Sequence, residues 1–488
     1  MQKYAGTSNL VPVCKQIRAD LETPVSCYMK AALGKNSFLL ESVTGGEHVG
    51  RYSYIGLEPY MVMRFENGRT YVEHRLQNTR EATTEFSDPL AAISHYLDPL
   101  KSVRVPGMPR FAGGAAGYLA YECVSRFESI NAPDVHDLAT PEAVLLFCDL
   151  VIAFDHVKRD AYIISHIRTD RDIHAEYERA AERIEQVASR LKRPVDERAL
   201  KEARVGGAVF CNQQPEEFMS KVSRVKEYIA AGDAIQVVIS QRFAREAHCH
   251  PFKVYRALRS INPSPYMFYF DFGDFQLAGA SSEMLVRVED RVAYTRPLAG
   301  TRARGRTARE DDALVRELLA DEKERAEHVM LVDLARNDLG RVCKPGSVKV
   351  DTLMDVEKYS HVMHIVSGVR GELRDDVSQY SAAKSAFPAG TLSGAPKIRA
   401  MQIISELEPT QRGPYGGATG YFDYSGNLDL AITIRTILLK DKMAYVQAGA
   451  GIVADSDPKR EHDECLRKAE AMLRALDDAA GVESGERG

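Results

Sequence analysis

The chain has 488 residues, 44% hydrophobic and 27% charged, which is a soluble globular balance. It is too long for one ordinary core, so two large structural units are expected. A formal charge of −5 leaves no basic excess to neutralise phosphates and argues against a general nucleic-acid binder, although a small anionic ligand needs only a few local cations.

The N-terminal stretch MQKYAGTSNLVPV has no apolar core of signal-peptide length. The longest apolar run, Ala143–Phe154, is too short to span a bilayer and contains Asp149. No membrane association is expected. The eight cysteines are scattered without a C-x-x-C pair, which reads as reduced cytoplasmic thiols rather than a disulfide framework or zinc site. His248-Cys249-His250 offers poor metal geometry, since adjacent side chains of an extended segment point to opposite faces.

Along the first 190 residues, strand-like pieces (SFLLESV, YMVMRF, TYVEHRL) alternate with turn signals at TGGEH (Thr44–His48) and ENGRT (Glu66–Thr70). Ala143–Phe154 reads as a buried strand pair, and the charged stretch His174–Arg193 as a helix. A polar connector is expected to about Gln214.

The second unit opens with a helix from Pro215. Its Phe218, Val222, Val225 and Ile229 recur at helical spacing, and Gly232 is placed for a C-terminal cap. In the following strand, alternation puts Ile235, Val237 and Ile239 on one face and Gln236, Val238 and Ser240 on the other. Further strands are read at YMFYFDF, MLVRVED, RVAYTR, AITIRTILL and MAYVQAGAG. Helices are read at Asp311–Ala335, near Ser381, at Lys397–Ser405 and at Lys459–Leu476. The pattern is α+β with extensive antiparallel sheet.

FPAGTLSGAPKIRAM (Phe387–Met401) has the glycines and lysine of a phosphate loop but the wrong spacing. Ala395 and Pro396 separate Gly394 from Lys397, and Ile398 replaces the hydroxyl residue that would reach Mg²⁺. Glu324 and Glu327 share one helix face, as do Glu461 and Glu464 with Lys468 a turn further on. Each pair alone reads as a solvated face; together they could give oxygen ligands to one hard divalent cation. Arg435, inside AITIRTILL, either meets a structural carboxylate or faces an anionic ligand. Gly449 and Gly451 mark a tight turn or a close ligand approach. His364 and Glu283 are lone polar groups.

In order, GDAIQVVISQRF, GASSEMLVR, TRPLAGTR, DEKERAEHVMLVDLARNDLG, HVMHIVSGVRG, FPAGTLSGAPKIRAM, GPYGGATGYF, AITIRT, VQAGAGIVADSDP and E-x-x-E-x-x-x-K resemble the chorismate-utilising enzymes. The likeness is to the large subunits of anthranilate synthases and runs through nearly all of Phe218–Leu476, with a weaker match before it. It implies an α+β fold of two packed, largely antiparallel sheets with helices outside. A regulatory region at 1–200 would precede a chorismate-binding catalytic region at 212–480.

By the same resemblance, Glu327 and Glu464 are the principal Mg²⁺ ligands, with Glu324 and Glu461 as nearby partners. Thr391 contacts the substrate, and Arg435 and Tyr415 hold the enolpyruvyl carboxylate. Gly449, Ala450, Gly451 and Lys468 line the pocket by the ring carboxylate. Glu283 is the general acid for the departing C4 hydroxyl, and its pKa must be raised. His364 matches the histidine of the pyruvate elimination.

Two positions sort the relatives. Gln236 stands where isochorismate-forming enzymes carry a lysine base, and an amide cannot activate water. Ala299 in Pro297–Thr301 replaces the nucleophilic lysine of the aminodeoxychorismate relatives. Direct attack by ammonia at C2 is left. No G-x-C-x-G nucleophile elbow occurs, so a separate glutamine amidotransferase subunit is implied as the ammonia source, in an expected heterotetramer. LLES at Leu39–Ser42 and NPSPYMF resemble the tryptophan feedback site, with Glu41, Ser42, Arg51, Pro265, Tyr266 and Met267 as inhibitor contacts. The absence of tryptophan from the chain suits an enzyme needed when tryptophan is scarce. The alternatives are a synthase that stops at aminodeoxyisochorismate and a non-catalytic tryptophan sensor.

Overall fold

The computed structural model describes residues 8–43, 50–200, 203–359 and 362–481. Among these are two sheets of 12 strands each. The first runs Leu10–Arg18, Asp160–Arg168, Leu150–Asp155, Tyr52–Gly56, Ser37–Glu41, Tyr266–Asp271, Phe275–Ser281, Thr436–Lys440, Met443–Ile452, Gln236–Cys249, Ala203–Cys211, with Gly394–Ala395 added beside Gln236–Cys249. The second runs Leu298–Ala303, Val362–Glu372, Val292–Thr295, Met284–Glu289, Leu428–Ile432, Ala418–Asp423, Gly114–Leu119, Ala143–Cys148, Met61–Glu66, Arg69–His74, Thr79–Thr83, with Lys349–Lys358 beside Val362–Glu372. The strand pairings within both are antiparallel, as the sequence led us to expect.

Both sheets draw strands from either side of the 1–200 and 212–480 division. Ser37–Glu41 pairs with Tyr266–Asp271, and Gly114–Leu119 pairs with Ala418–Asp423. The sheets face each other across Phe38, Phe268, Phe270 and Leu277 on one side and Val62, Ala116, Val144 and Leu146 on the other. Helices cover the outer faces. Met267 and Tyr269 meet Phe252 and Tyr255 of the helix Pro251–Ile261, while Leu145 and Phe147 pack in the same cluster as Leu90 and Ile93 of Pro89–Leu97. Burial on both faces explains why such strands read as continuous apolar runs. Each fully buried large side chain contributes about 1.5–3 kcal/mol.

Several local readings hold. Phe218, Val222 and Val225 are buried along the helix Pro215–Ala230, and Gly232, just beyond its cap, takes φ +85°. Asn67 and Gly68, at φ +51° and +73°, close the hairpin between Met61–Glu66 and Arg69–His74. The turn read at Thr44–His48 lies outside the described residues.

Others are corrected. Ala143–Cys148 and Leu150–Asp155 are both buried but do not pair: Asp149 carries the chain from the second sheet to the first, its carboxylate held by Arg183 at 3.0 Å. The segment expected as a connector contains the edge strand Ala203–Cys211. Asp311–Ala335 is two helices, Ala308–Ala320 and Glu322–Gly340, because Asp321 leaves helical geometry and caps the second through Lys323 N and Glu324 N. Ile235 precedes the strand and is 62% exposed. No described helix is long and apolar enough to cross a membrane.

At the junction of the two halves in the second sheet, a Cβ on Gly117 would stand 1.9 Å from the Val144 carbonyl oxygen. Gly117→Ala is expected to lower stability by about 1–3 kcal/mol or more. Gly340→Ala, with nothing within 4 Å of its added carbon, should leave it within about 0.5 kcal/mol. Urea unfolding midpoints of the two variants check this.

Candidate active site and a second cavity

Two adjacent strand pairs cross between the sheets at one level. Phe275–Ser281 pairs with Thr436–Lys440 in the first sheet, and Met284–Glu289 pairs with Leu428–Ile432 in the second. The connections, at Ser282–Glu283 and Thr433–Arg435, are thereby held side by side. Ile432 N donates to Glu283 O (3.0 Å), Ala280 N to Arg435 O (3.1 Å) and the Ser281 hydroxyl to Ile432 O (2.6 Å). Arg435 therefore lies in a bend between strands, at φ +49°, and not inside one as read from its apolar flanks.

Glu283 is 8% exposed, and burial pushes its pKa up to about 8, partly countered by a hydrogen bond from Thr391 and the charge of Arg435. Thr391 Oγ1 donates to Glu283 Oε1 at 3.0 Å. Burial pushes the Arg435 pKa down, and Tyr415, Glu464 and Glu283 act on it through space without a direct hydrogen bond. The anionic-ligand alternative for Arg435 is thus the one the geometry favours.

The loop of Phe387–Met401 packs against the strand Gln236–Cys249. Gly394, at φ +139°, pairs with Val237, and a Cβ there would lie 2.1 Å from Gln236 O. Lys397 does not point to any phosphate site: its Nζ donates to Asp338 Oδ2 at 2.7 Å and to Ala386 O at 3.3 Å.

On the neighbouring strand, Gly449 and Gly451 stand opposite Ser240 and Val238. A Cβ on Gly449 would sit 2.9 Å from the Tyr415 hydroxyl, and one on Gly451 2.5 Å from Gln236 Nε2. Both glycines are therefore required by close approach, in a strand and not at a turn. Ala450 turns its side chain into the core, leaving only backbone for a ligand. Lys468 Nζ donates to Gly449 O at 2.9 Å and pairs with Glu464 at 2.6 Å.

Gln236 Nε2 donates to Glu327 Oε1 at 3.2 Å, and its own Oε1 is buried without a partner among the described residues. Burial, then the charges of Glu324 and Glu464, raises the Glu327 pKa; burial and Glu464 raise that of Glu461. Glu324 is bonded by Arg302 at 2.9 Å. Among the described residues no three His, Cys, Asp or Glu side chains converge tightly enough to hold a metal by themselves. Mg²⁺ commonly takes one or two carboxylates with waters and ligand oxygens, and the under-neutralised Glu327, repelled by the neighbouring Glu464, fits that need.

His364, on Val362–Glu372, stands opposite Thr301 of Leu298–Ala303, and Ala299 stands opposite the next residue, Ile365. Its Nδ1 is 3.1 Å from Gly300 O and 3.0 Å from Thr301 Oγ1. A carbonyl only accepts, so Nδ1 carries the proton and Nε2 is left basic. Burial, aided by Arg435, lowers the pKa of the ring.

A second cavity, of about 400 Å³, lies between the sheets. All six residues read as inhibitor contacts (Glu41, Ser42, Arg51, Pro265, Tyr266, Met267) line it. Glu41 is already engaged by Arg259 (3.0 Å) and the Tyr255 hydroxyl, and Arg51 by Asp155 (3.0 Å). The buried Ser42 hydroxyl has no partner among the described residues. Sequence reading missed Tyr54, Met108, Arg110, Tyr421 and Asp429, which complete the walls. They carry no local signal, since strand pairing brings Tyr54, Tyr421 and Asp429 beside Ser42 and an irregular segment brings Met108 and Arg110. The Tyr266 hydroxyl donates to the half-buried Asp429 at 3.2 Å.

The model of the chorismate binding enzyme family matches residues 35–474. An anthranilate synthase component 1 of Acetivibrio thermocellus is 47% identical, covering 97% of each chain. The solved anthranilate synthase component I of Streptococcus pneumoniae superposes with a TM-score of 0.78 at 38% identity, over 87% of this chain and 92% of that one. The menaquinone-specific isochorismate synthase of Escherichia coli, at 18% identity, shares the fold with a TM-score of 0.70 over 97% of each chain. The chain belongs to the chorismate binding enzyme family, within the branch of the anthranilate synthase component 1 proteins.

Proposed function

We propose that the chain converts chorismate and ammonia to anthranilate and pyruvate, with Mg²⁺ at Glu327 and Glu464. The ammonia would come from a glutamine amidotransferase subunit, and tryptophan would inhibit from the cavity between the sheets. The observation that carries the catalytic reading is Glu283: a carboxyl kept protonated at neutral pH by burial, in reach of Thr391 and beside Arg435, which acts on it through space.

Chorismate carries two carboxylates. Arg435 and Tyr415 take the enolpyruvyl one, while Lys468 and the backbone of Gly449–Gly451 flank the ring carboxylate. When bound, the metal neutralises that carboxylate and draws electron density from the ring. As ammonia bonds to C2, the ring double bonds shift, the C4–O bond breaks, and Glu283 gives its proton to the leaving hydroxyl, which departs as water; the proton shed by the new C2 ammonium restores the Glu283 acid. Nε2 of His364 then takes the C2 proton, the C3–O bond breaks as the ring becomes aromatic, and the departing enolpyruvate takes that proton on its methylene carbon to become pyruvate. Gln236 cannot activate water and Ala299 cannot form an adduct, which supports ammonia as the nucleophile.

The cavity pairs aromatic and thioether walls (Tyr54, Tyr421, Met267, Met108) with polar groups (Ser42, Arg110, Asp429). That combination suits a zwitterion with an aromatic side chain. A ligand there inhibits by favouring a state that binds chorismate poorly.

The direct test is anthranilate fluorescence from the purified chain with chorismate, Mg²⁺ and ammonium. Formation is expected with ammonium, not with glutamine, and not in EDTA. Consumption of chorismate without fluorescence would overturn the lyase role of His364, and activity with glutamine alone would overturn the separate amidotransferase.

Turnover requires Glu283 protonated and His364 neutral. With free ammonia held constant, activity should therefore fall as pH rises through about 8, and fall again as acid protonates His364 below the usual histidine range. Glu283→Gln should lower kcat on the order of 10²–10⁴-fold and remove the alkaline limb from whatever rate remains.

Calorimetry should detect tryptophan binding to the wild-type chain. Ser42→Phe, which fills the cavity, should weaken it at least about tenfold, or about 1.4 kcal/mol. Equal affinity in both would locate the inhibitor elsewhere.

A further inference from the structure

The strongest feature outside the assigned residues is Arg412, among the largest fully buried side chains of the protein, 2% exposed. Its Nε donates to Glu408 Oε2 at 2.8 Å and its Nη2 to Glu408 Oε1 at 2.6 Å, a bidentate pair within the core. The guanidinium face lies 4.4 Å from the Tyr121 ring and 5.8 Å from that of Tyr415. Below it, the Glu122 carboxylate accepts from Arg412 N at 2.6 Å and Gly413 N at 3.0 Å.

The remaining donors end on backbone carbonyls. Nη1 donates to Leu392 O at 2.7 Å, and Nη2 also to Val238 O at 2.8 Å. Leu392 follows Thr391, Val238 lies two residues after Gln236, and Tyr415 lies three after Arg412 itself. The Glu408 partner extends the tie, accepting from Ser240 N at 2.8 Å and Ser240 Oγ at 2.9 Å, opposite Gly449. Val238 N in turn donates to Ser393 O at 2.9 Å. The planar fork thus ends on each of the backbone segments that carry Thr391 and Gln236, and it borders Tyr415. Lysine, a point donor, could not span them.

We propose that Arg412 is a positioning residue: by clamping the Leu392 carbonyl to the strand Gln236–Cys249, it holds the Thr391 hydroxyl on the Glu283 carboxyl. The proposal builds on the assignment of Glu283 and Thr391 to the active site. A burial role alone would tie Arg412 to stability; a clamp ties it to the state of Glu283. Thr391 donates to that carboxyl and so favours its anion, with Arg435 as the charged neighbour. Releasing the loop removes the donor, and Glu283 must then hold its proton to higher pH.

The test reads Glu283 directly, without substrate, by ¹³C NMR titration of glutamate-labelled chain, the Glu283 signal being assigned by its loss in Glu283→Gln. Thr391→Val should move the Glu283 titration up by about half a pH unit or more from about 8, and Arg412→Lys should move it by a similar amount. The double variant should move it no further than either alone. If Arg412→Lys fails to fold, Tyr121→Leu, which removes the ring under the guanidinium, takes its place. A Glu283 titration unchanged in the folded variant, or shifts that simply add, would overturn the proposal. Kinetics give the second arm: kcat for anthranilate should fall on the order of a hundredfold in Arg412→Lys, with little further loss on adding Thr391→Val. Absence of anthranilate from the wild-type chain would count against the functional reading, while the titration would still decide the clamp.

Discussion

The site depends on a constraint of topology: two antiparallel strand pairs leave one sheet and enter the other at the same height. A chain that crosses between packed sheets must expose its backbone to the gap for one or two residues. Here both crossings have their polar groups answered by each other, Ile432 N with Glu283 O and Ala280 N with Arg435 O. The side chains at those points are carried into the interior by a framework that sheet pairing fixes on either side. A carboxyl and a guanidinium are thus buried as neighbours without being bonded as a pair. Each keeps a capacity that a direct ion pair would consume: Glu283 its proton, Arg435 its charge.

Charge balance around this point is graded. Deep in the core, Arg412 and Glu408 are fully matched, and removing either would leave the other stranded. At the helices Glu322–Gly340 and Pro458–Ala480, Glu324 and Glu464 have cationic partners, while among the described residues Glu327 is bonded only by the Gln236 amide. The under-compensated carboxylate and the under-compensated arginine are where a dianion with a divalent cation would restore balance. The overall acidity of the chain does not oppose such a ligand, because the cations that face it are local.

Much of this was legible in the residues because the motifs are long and each carries several constraints at once. Glycines 449 and 451 could be singled out, although the structure gives the reason as contact with Tyr415 and Gln236 rather than a turn. The six cavity residues read from LLES, Arg51 and NPSPYMF do come together, since Ser37–Glu41 and Tyr266–Asp271 are paired strands. What stayed hidden were relations set by long-range pairing. An apolar run such as Ala143–Phe154 looks the same whether its strands pair or part to different sheets, because each strand is covered on both faces. The bend at Arg435 sits in a stretch of isoleucines and threonines that alternates like any strand. Tyr421, Asp429 and Arg412 match no local pattern of charge or spacing, and their surroundings are built by residues far away in the chain.

The strand Leu428–Ile432 begins at the cavity wall with Asp429 and ends with the amide that bonds the Glu283 carbonyl. Tyr266, on another wall, pairs with Ser281, two residues before the same glutamate. Two sides of the cavity are therefore built from the rods that hold the acid, whereas the side formed by Glu41, Ser42, Arg51 and Met108 carries no residue of the active site. The walls are unequal in what they can lose. Under the inhibition by tryptophan proposed above, evolution or design that seeks an enzyme deaf to its end product but undiminished in turnover has the N-terminal wall to work with. Changes on the other two pass straight to Glu283.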